Sequence, residues 1–483
     1  MNEQNRKQTA KHHSAANLKD KLKQSLSVPS PTMLCFLGFA LVRCSNVMMD
    51  HHFALSQNLG PLWGEDLYSL VSILVFSVCA LFARKIAPLY TRKHILHVAV
   101  VFSIVAAVLD FLLSTTDLPS STILLACIVF SGVSGALFIL LWAELHSCLD
   151  PFRIVFYVSG AFLLGALGAW VLQDVEGTRR LFVLACCPLA SAWCLVKSFS
   201  HIQPINLPRS LWGQCKFPWK LIVVLGIYEF VYGVRESSPN FAWETYLLGA
   251  IAMALAVFSF ACLFARRSDF TLLYRTPFAL TFCGLAMTPL TATFGGVFSD
   301  FLVSAGYALM FLIVTLLMCD LSRQRGVSVL VLCGMQEITA TFRLVGHQAS
   351  DAASSTSTFF FLNSETLEGF LTLAVVVASI VLLSDRNPSQ TWGASFFGVG
   401  AMAKMDDDET WLEARCQELS QAYGLSPREC EVFNLLARGK TATQIERELV
   451  IANGTVKSHT RRIYQKFGIH TKRELVEMIG TKE

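Results

Sequence analysis

The chain has 483 residues, of which 53% are hydrophobic and only 15% charged, with a formal net charge of +4. A soluble globular chain carries about 25% charged residues, so this balance excludes an ordinary water-soluble protein and points to a membrane. The 15 cysteines, among them Cys35, Cys79, Cys127, Cys262, Cys283 and Cys333, fall mostly inside apolar runs. That is neither a disulfide framework nor a metal-ligand spacing, and the adjacent Cys186 and Cys187 read as packing residues.

Residues 1–30 are polar and basic. No apolar core with a small-residue cleavage site follows the charged start, so the segment reads as a cytoplasmic tail rather than a signal peptide. From 31 to 384 apolar stretches alternate with polar loops. A spanning helix needs about 20 mostly apolar residues, and about twelve stretches qualify, near 31–49, 67–83, 95–113, 121–143, 152–172, 181–197, 219–235, 245–265, 270–290, 301–320, 327–349 and 367–384.

Loop charge sets the expected orientation, because Lys and Arg are retained on the cytoplasmic side. Basic residues crowd the tail and alternate loops: Arg84, Lys85, Arg92 and Lys93, then Arg153, then Lys197, Arg209, Lys216 and Lys220, then Arg266, Arg267 and Arg275, then Arg323 and Arg325. The intervening loops offer only Arg179, Arg180 and Arg235. An even number of spans with this bias puts both termini in the cytoplasm, with the chain in the cytoplasmic (inner) membrane of a bacterium.

Two tetrapeptides suggest an internal repeat. Leu81-Phe82-Ala83-Arg84 closes the second span and Leu263-Phe264-Ala265-Arg266 closes the eighth, each the second span of its half. A six-plus-six parallel repeat around a central loop is a transporter architecture, and the region resembles the major facilitator fold. That family carries Asp and Gly residues in a basic signature after its second span. Here the loop reads ARKIAPLYTRKH, keeping the basic residues and lacking the Asp and glycines, which counts against transport.

Charges inside spans are costly and usually face the bundle interior. The deepest are Arg43 in the first span, Glu229 in the seventh, and Glu337 and Arg343 in the eleventh, with Asp110 near the outer end of the third. The resemblance implies that the first, seventh and eleventh spans line a central cavity. Two readings stay open: a binding site for an unknown polar small-molecule ligand, or interhelical salt bridges that hold the bundle.

After Leu383 the composition changes. Residues 385–423 read as a linker, with an acidic run Asp406-Asp407-Asp408-Glu409 and a short helix over about 409–421. Residues 424–483 then predict four helices near 427–437, 442–449, 454–467 and 472–479. Ser426-Pro427-Arg428-Glu429, Thr441-Ala442-Thr443-Gln444 and Thr471-Lys472-Arg473-Glu474 have the capping-box pattern, while Gly439 and Gly468 stand at helix ends. Helices two and three form a helix-turn-helix, with the turn at Val450-Ile451-Ala452-Asn453. Ala442, Ile445 and Leu449 face inward, as do Val456, Thr460, Ile463 and Phe467. The opposite face of the third helix carries Lys457, Ser458, Arg461, Arg462 and Gln465, a basic polar stripe suited to the major groove of double-stranded promoter DNA.

The ordered residues Leu425-Ser426-Pro427-Arg428-Glu429, Val432, Leu435, Gly439, Ile445, Leu449, Gly454-Thr455-Val456-Lys457, His459, Ile463, Tyr464, Lys466 and Gly468 resemble the LuxR-type helix-turn-helix family. The resemblance implies base-reading positions at Lys457, Ser458 and Arg461. It implies phosphate contacts at Thr455 and neighbouring basic residues, and a structural His459. It also implies a homodimer formed through the last helix, at Leu475, Val476 and Ile479, on DNA. The chain departs from the family pattern at Glu446, where Ala is common, and at Ala452, where Ser is usual, leaving Asn453 as the expected cap. No phosphate loop, HExxH or triad setting occurs, so the expectation is no enzyme activity, no catalytic residue, no cofactor and no metal. The all-α reading joins a polytopic bundle to a helix-turn-helix domain, hence a regulator that senses a small molecule; the alternative is a transporter with a regulatory DNA-binding tail.

Overall fold

The apolar stretches fold as helices because each satisfies its own backbone hydrogen bonds, the one condition a single chain segment must meet in lipid. The computed structural model describes residues 31–55, 64–115, 120–202, 219–237, 241, 243–264, 275–287, 296–325, 327–355, 370–378, 415–437, 445–446, 449, 451–469, 474–475 and 478. All regular elements among the described residues are helical.

In chain order these are α1 (Pro31–Leu55), α2 (Gly64–Leu81), α3 (Lys93–Thr115), α4 (Ser120–His146), α5 (Pro151–Leu172), α6 (Gly177–Ser200), α7 (Trp219–Glu236), α8 (Trp243–Phe264), α9 (Thr276–Met287), α10 (Val297–Arg325), α11 (Val329–Ile338) and α12 (Ala340–Ser355). Residues 370–378 are also helical; the rest of the stretch expected at 367–384 lies outside the described residues. By length and composition, eight spans among the described residues can cross a membrane, one of them α11 and α12 taken together.

The packing repeats between halves. α1 packs on α5 as α7 packs on α12, α2 on α4 as α8 on α10, and α3 on α4 as α9 on α10. The halves meet along α2 with α11 and along α5 with α8. The second helix of each half therefore touches the fifth span of the other, the relation a parallel repeat generates. Of the two tetrapeptides that hinted at it, Ala83 is buried, while Ala265-Arg266 lies outside the described residues.

Small residues set the tightest approach. A Cβ on Gly233 of α7 would collide with the Arg343 carbonyl of α12, and one on Gly346 of α12 would sit 2.5 Å from the Phe230 carbonyl. Glycine at both positions lets two backbones touch.

Several expected boundaries are corrected. α1 runs past residue 49 and includes Asp50, α2 begins before residue 67 and includes Glu65 and Asp66, and α7 reaches Glu236. The eleventh stretch is two helices, broken by a turn at Thr339, whose hydroxyl donates to Gln336 O at 2.6 Å. After α2, a short helix Ala83–Ile86 and a 3-10 turn Leu89–Thr91 form the basic loop. The buried Glu144 of α4 accepts from the backbone N–H groups of Leu89 at 2.7 Å and Tyr90 at 3.0 Å, which fixes that loop while Arg84, Lys85, Arg92 and Lys93 stay exposed.

A second compact unit holds the C-terminal end of the chain. It contains a helix at 415–422, α13 (Pro427–Ala437) and α14 (Asn453–Phe467). Its core is Val432, Phe433, Ile445, Val456 and Ile463, all fully buried, joined by Cys416 and Leu419. The 415–422 helix thus belongs to this core rather than to a linker ending at 423. Residues 385–414, the capping boxes at Thr441 and Thr471, and Gly439 lie wholly or largely outside the described residues.

Candidate DNA interface and central polar cavity

The C-terminal unit orients one helix face outward. Ser426 starts α13: its backbone N–H donates to Glu429 Oε2 at 2.8 Å, and the Glu429 N–H returns to Ser426 Oγ at 3.4 Å, the reciprocal pairs of a capping box. Lys466 of α14 donates to the same Glu429 oxygen at 2.8 Å and to Gly424 O at 2.7 Å. This knot locks α14 against the start of α13. It also holds the Glu429 carboxyl far below its ordinary value of 4.5, at about 2, chiefly through the Lys466 ammonium and the Ser426 N–H.

α14 ends at Gly468, whose φ of 67° is left-handed. Val456, Ile463 and Phe467 are buried, and Thr460 turns its hydroxyl onto Val456 O at 2.9 Å. Thr455, Lys457, Ser458, Arg461, Arg462 and Gln465 are all exposed. His459 is half-buried, as a packing residue should be.

The start of α14 differs from expectation. Ala452 is the N-cap residue and makes no side-chain cap. Asn453 does not replace it; its Nδ2 donates to Glu446 Oε2 at 2.8 Å. The Glu446 departure therefore meets Asn453 at the cap: a carboxylate on the scaffold helix anchors the first residue of α14. Leu475, at 1% exposure, is buried in its own domain's core. Val476 and Ile479 lie outside the described residues.

In the bundle, a cavity of about 150 Å3 lies between the halves. Arg43, Glu229, Glu337 and Arg343 all line it, alongside Asp50. Its aromatic walls include Tyr68, Tyr246, Tyr307 and Phe162, with the Arg43 guanidinium 4.2 Å from the centre of the Phe162 ring. Glu337 stands beside the break between α11 and α12, and interrupted spans mark transporter binding sites.

Next to the cavity is an ion network that spans both halves. Arg343 lies 3.6 Å from Glu65 and 4.0 Å from Glu236, and donates to Ser69 at 2.6 Å. His347 sits between Asp66 at 2.6 Å and Glu236 at 2.9 Å. The Tyr232 hydroxyl donates to Glu236 at 2.9 Å, and its ring stacks on Tyr307. The cavity thus holds both features left open by the sequence: Arg343 is in salt bridges, while the Glu229 Oε2 is buried with no hydrogen-bond partner among the described residues. Asp110 is a structural ion: it pairs with Arg180 at 2.9 Å, and Arg180 also donates to Met48 O.

Sequence reading missed Asp50, Glu65, Asp66, Glu236 and His347. Four of these stand at the edges of apolar stretches, where a hydropathy window stops at the first charge. The signal was their clustering at facing ends of stretches one, two and seven.

Comparison with known proteins places both halves in context. Residues 424–479 match the family of bacterial regulatory proteins of the luxR type. The C-terminal domain is a LuxR-type helix-turn-helix, a DNA-binding domain. The HTH-type transcriptional regulators MalT of Serratia proteamaculans and of Yersinia pestis are each 34% identical to it over 70 residues, 14% of this chain; the chain covers only 8% of their length. The bundle is similar to a bacterial homologue of the iron transporter ferroportin in an outward-facing state, with a TM-score of 0.50, 14% identity, and coverage of 74% of this chain and 99% of that one. The proton:xylose symporter XylE, a major facilitator protein, follows at 0.49 and 12% identity, over 73% and 94% of the two chains.

Proposed function

We propose that the protein is a membrane-embedded one-component transcription regulator, in which the bundle senses a small molecule and the LuxR-type domain binds promoter DNA. The observation that carries this reading is the exposed stripe Thr455, Lys457, Ser458, Arg461, Arg462 and Gln465 on α14, set over a locked domain core on the same chain as a polar cavity. Lys457, Ser458 and Arg461 read base edges; Thr455 and Arg462 hold phosphates, with Gln465 flanking. The bundle crosses the inner membrane twelve times with both termini in the cytoplasm, where DNA is. The chain divides into a basic tail at 1–30, the bundle at 31–384, a linker, and the DNA-binding domain, whose fold begins at the 415–422 helix. On DNA it is a homodimer.

The ligand must bind two states of the bundle with different affinity, or no signal follows. A fragment of residues 405–483 tests the DNA half: it should bind a specific operator, and binding should weaken as salt rises. A fragment with no preference for any promoter refutes the regulator. Arg43→Ala or Glu337→Gln in the full chain should abolish the signal response with normal membrane insertion; an unchanged dose response counts against sensing. The likeness of the bundle to a solved transporter homologue favours one second reading, transport with a regulatory tail. Saturable, gradient-coupled uptake into vesicles would support it.

A further inference from the structure

We infer that the ligand of the central cavity is a small organic cation, an ammonium group on a body about the size of a benzene ring. This rests on reading the bundle as a sensor.

The argument begins with charge. In the cavity and its adjoining network the carboxylates outnumber the basic groups two to one, even with His347 counted as a cation. Glu65, Asp66 and Glu236 are engaged by Arg343 and His347. Asp50, Glu229 and Glu337 remain, and they line the open space itself. Arg43, stacked on Phe162, is the one further cation lining the cavity among the described residues. Three carboxylates and two guanidiniums line the open space, and Arg343 is already shared with Glu65 and Glu236, so acidic groups outnumber cations there.

The second observation is an unmet acceptor. Glu229 is 2% exposed, lines the cavity, and its Oε2 has no hydrogen-bond partner among the described residues; the Asp50 Oδ1 is in the same position. A buried carboxylate oxygen without a donor costs on the order of 1–3 kcal/mol or more, and a ligand ammonium supplies three donors and the missing charge. The third is the wall. Tyr68, Tyr246 and Tyr307 line the cavity, and aromatic rings attract cations. A cavity near 150 Å3 accommodates benzene, which sets the scale of the ligand.

The test uses the full chain in lipid nanodiscs at pH 7, with four probes of similar size: benzylamine and tetramethylammonium as cations, benzyl alcohol as the neutral match, and benzoate as the anion. Calorimetry and thermal unfolding should show saturable binding of at least one cation, with benzyl alcohol and benzoate at least tenfold weaker. Glu229→Gln and Asp50→Asn should each weaken cation binding tenfold or more. Unfolding of the unliganded variants checks that they fold, and if one does not, the other decides. Binding of neither cation, equal binding of benzyl alcohol or benzoate, or full affinity in the folded variants would overturn the proposal.

Operator binding is read in parallel. A cation that binds without changing operator occupancy keeps the site and removes the sensor. Benzoate that changes operator occupancy does the reverse.

Discussion

Arg461 stands exposed on α14 one turn beyond Lys457, with Ile463 and Phe467 fixing the helix behind it. A side chain held this way can reach a base edge without moving the backbone. Arg461→Ala should cost about 1–3 kcal/mol of operator affinity and relax preference at one position, whereas Arg462→Ala, at a proposed phosphate contact, should weaken all sequences alike. Fluorescence anisotropy against specific and scrambled duplexes separates the two patterns; equal losses on both duplexes for Arg461→Ala would remove it from base reading.

Glu429 makes a different residue-scale prediction. Its folded carboxyl titrates near 2 against an ordinary 4.5. A depressed carboxyl stabilises the fold fully above its unfolded value, and that contribution is lost as pH falls from about 4.5 toward 2. Glu429→Gln should cost the domain about 1–2 kcal/mol at pH 7, modest because Lys466 is solvent-screened, and should flatten the pH dependence of urea unfolding between pH 5 and 2. An equally steep dependence in the variant would place the titration elsewhere. At this scale the sequence was legible wherever a charge stood alone in an apolar run, as Arg43 and Glu229 do. It was misleading where a charge sat at an apolar edge, because Asp50 and Glu236 have the one-dimensional profile of loop residues while three-dimensional packing half-buries them.

At the scale of the element, α14 lacks a side-chain cap at Ala452, although that residue has the extended backbone a cap uses. Ala452→Ser should stabilise the domain by about 1 kcal/mol, seen as a raised urea midpoint with unchanged slope; no gain would mean that the Asn453–Glu446 bond already meets the need. In the bundle, Gly233 carries the contact of α7 with α12. Gly233→Ala must push the helices apart, costing about 1–3 kcal/mol by overpacking and loosening Arg343 and His347 from Glu236. The expected readout is a lower unfolding temperature in detergent together with lost ligand response. Helix existence followed from hydropathy, and the capping box at Ser426 followed from residue spacing. The break at Thr339 did not, since no proline or glycine announces it, and neither did the glycine contact, which depends on which helices meet.

The whole molecule turns on which side of the membrane carries the DNA-binding domain. The loop charges were already lopsided, and the structure makes them more so. Of the three arginines assigned to outer loops, Arg180 is buried against Asp110 and Arg235 against Asp300. Neither presents free charge at a surface, so neither opposes the bias set by the exposed Arg84, Lys85, Arg92 and Lys93. With those two neutralised, retention of basic loops on the cytoplasmic side supports the proposed orientation. Alkaline phosphatase fused after residue 176, between α5 and α6, should therefore be active. The same enzyme fused after residue 202, beyond α6, should be inactive, and a fluorescent protein at residue 483 should fold and fluoresce. Reversing the charge of the basic loop, with Arg84, Lys85, Arg92 and Lys93 all changed to Glu, should lower the share of correctly oriented chains and operator-driven expression together. An active phosphatase at residue 202 would put the DNA-reading helix on the wrong side of the membrane from its operator, and no ligand chemistry in the cavity could then make the protein a regulator.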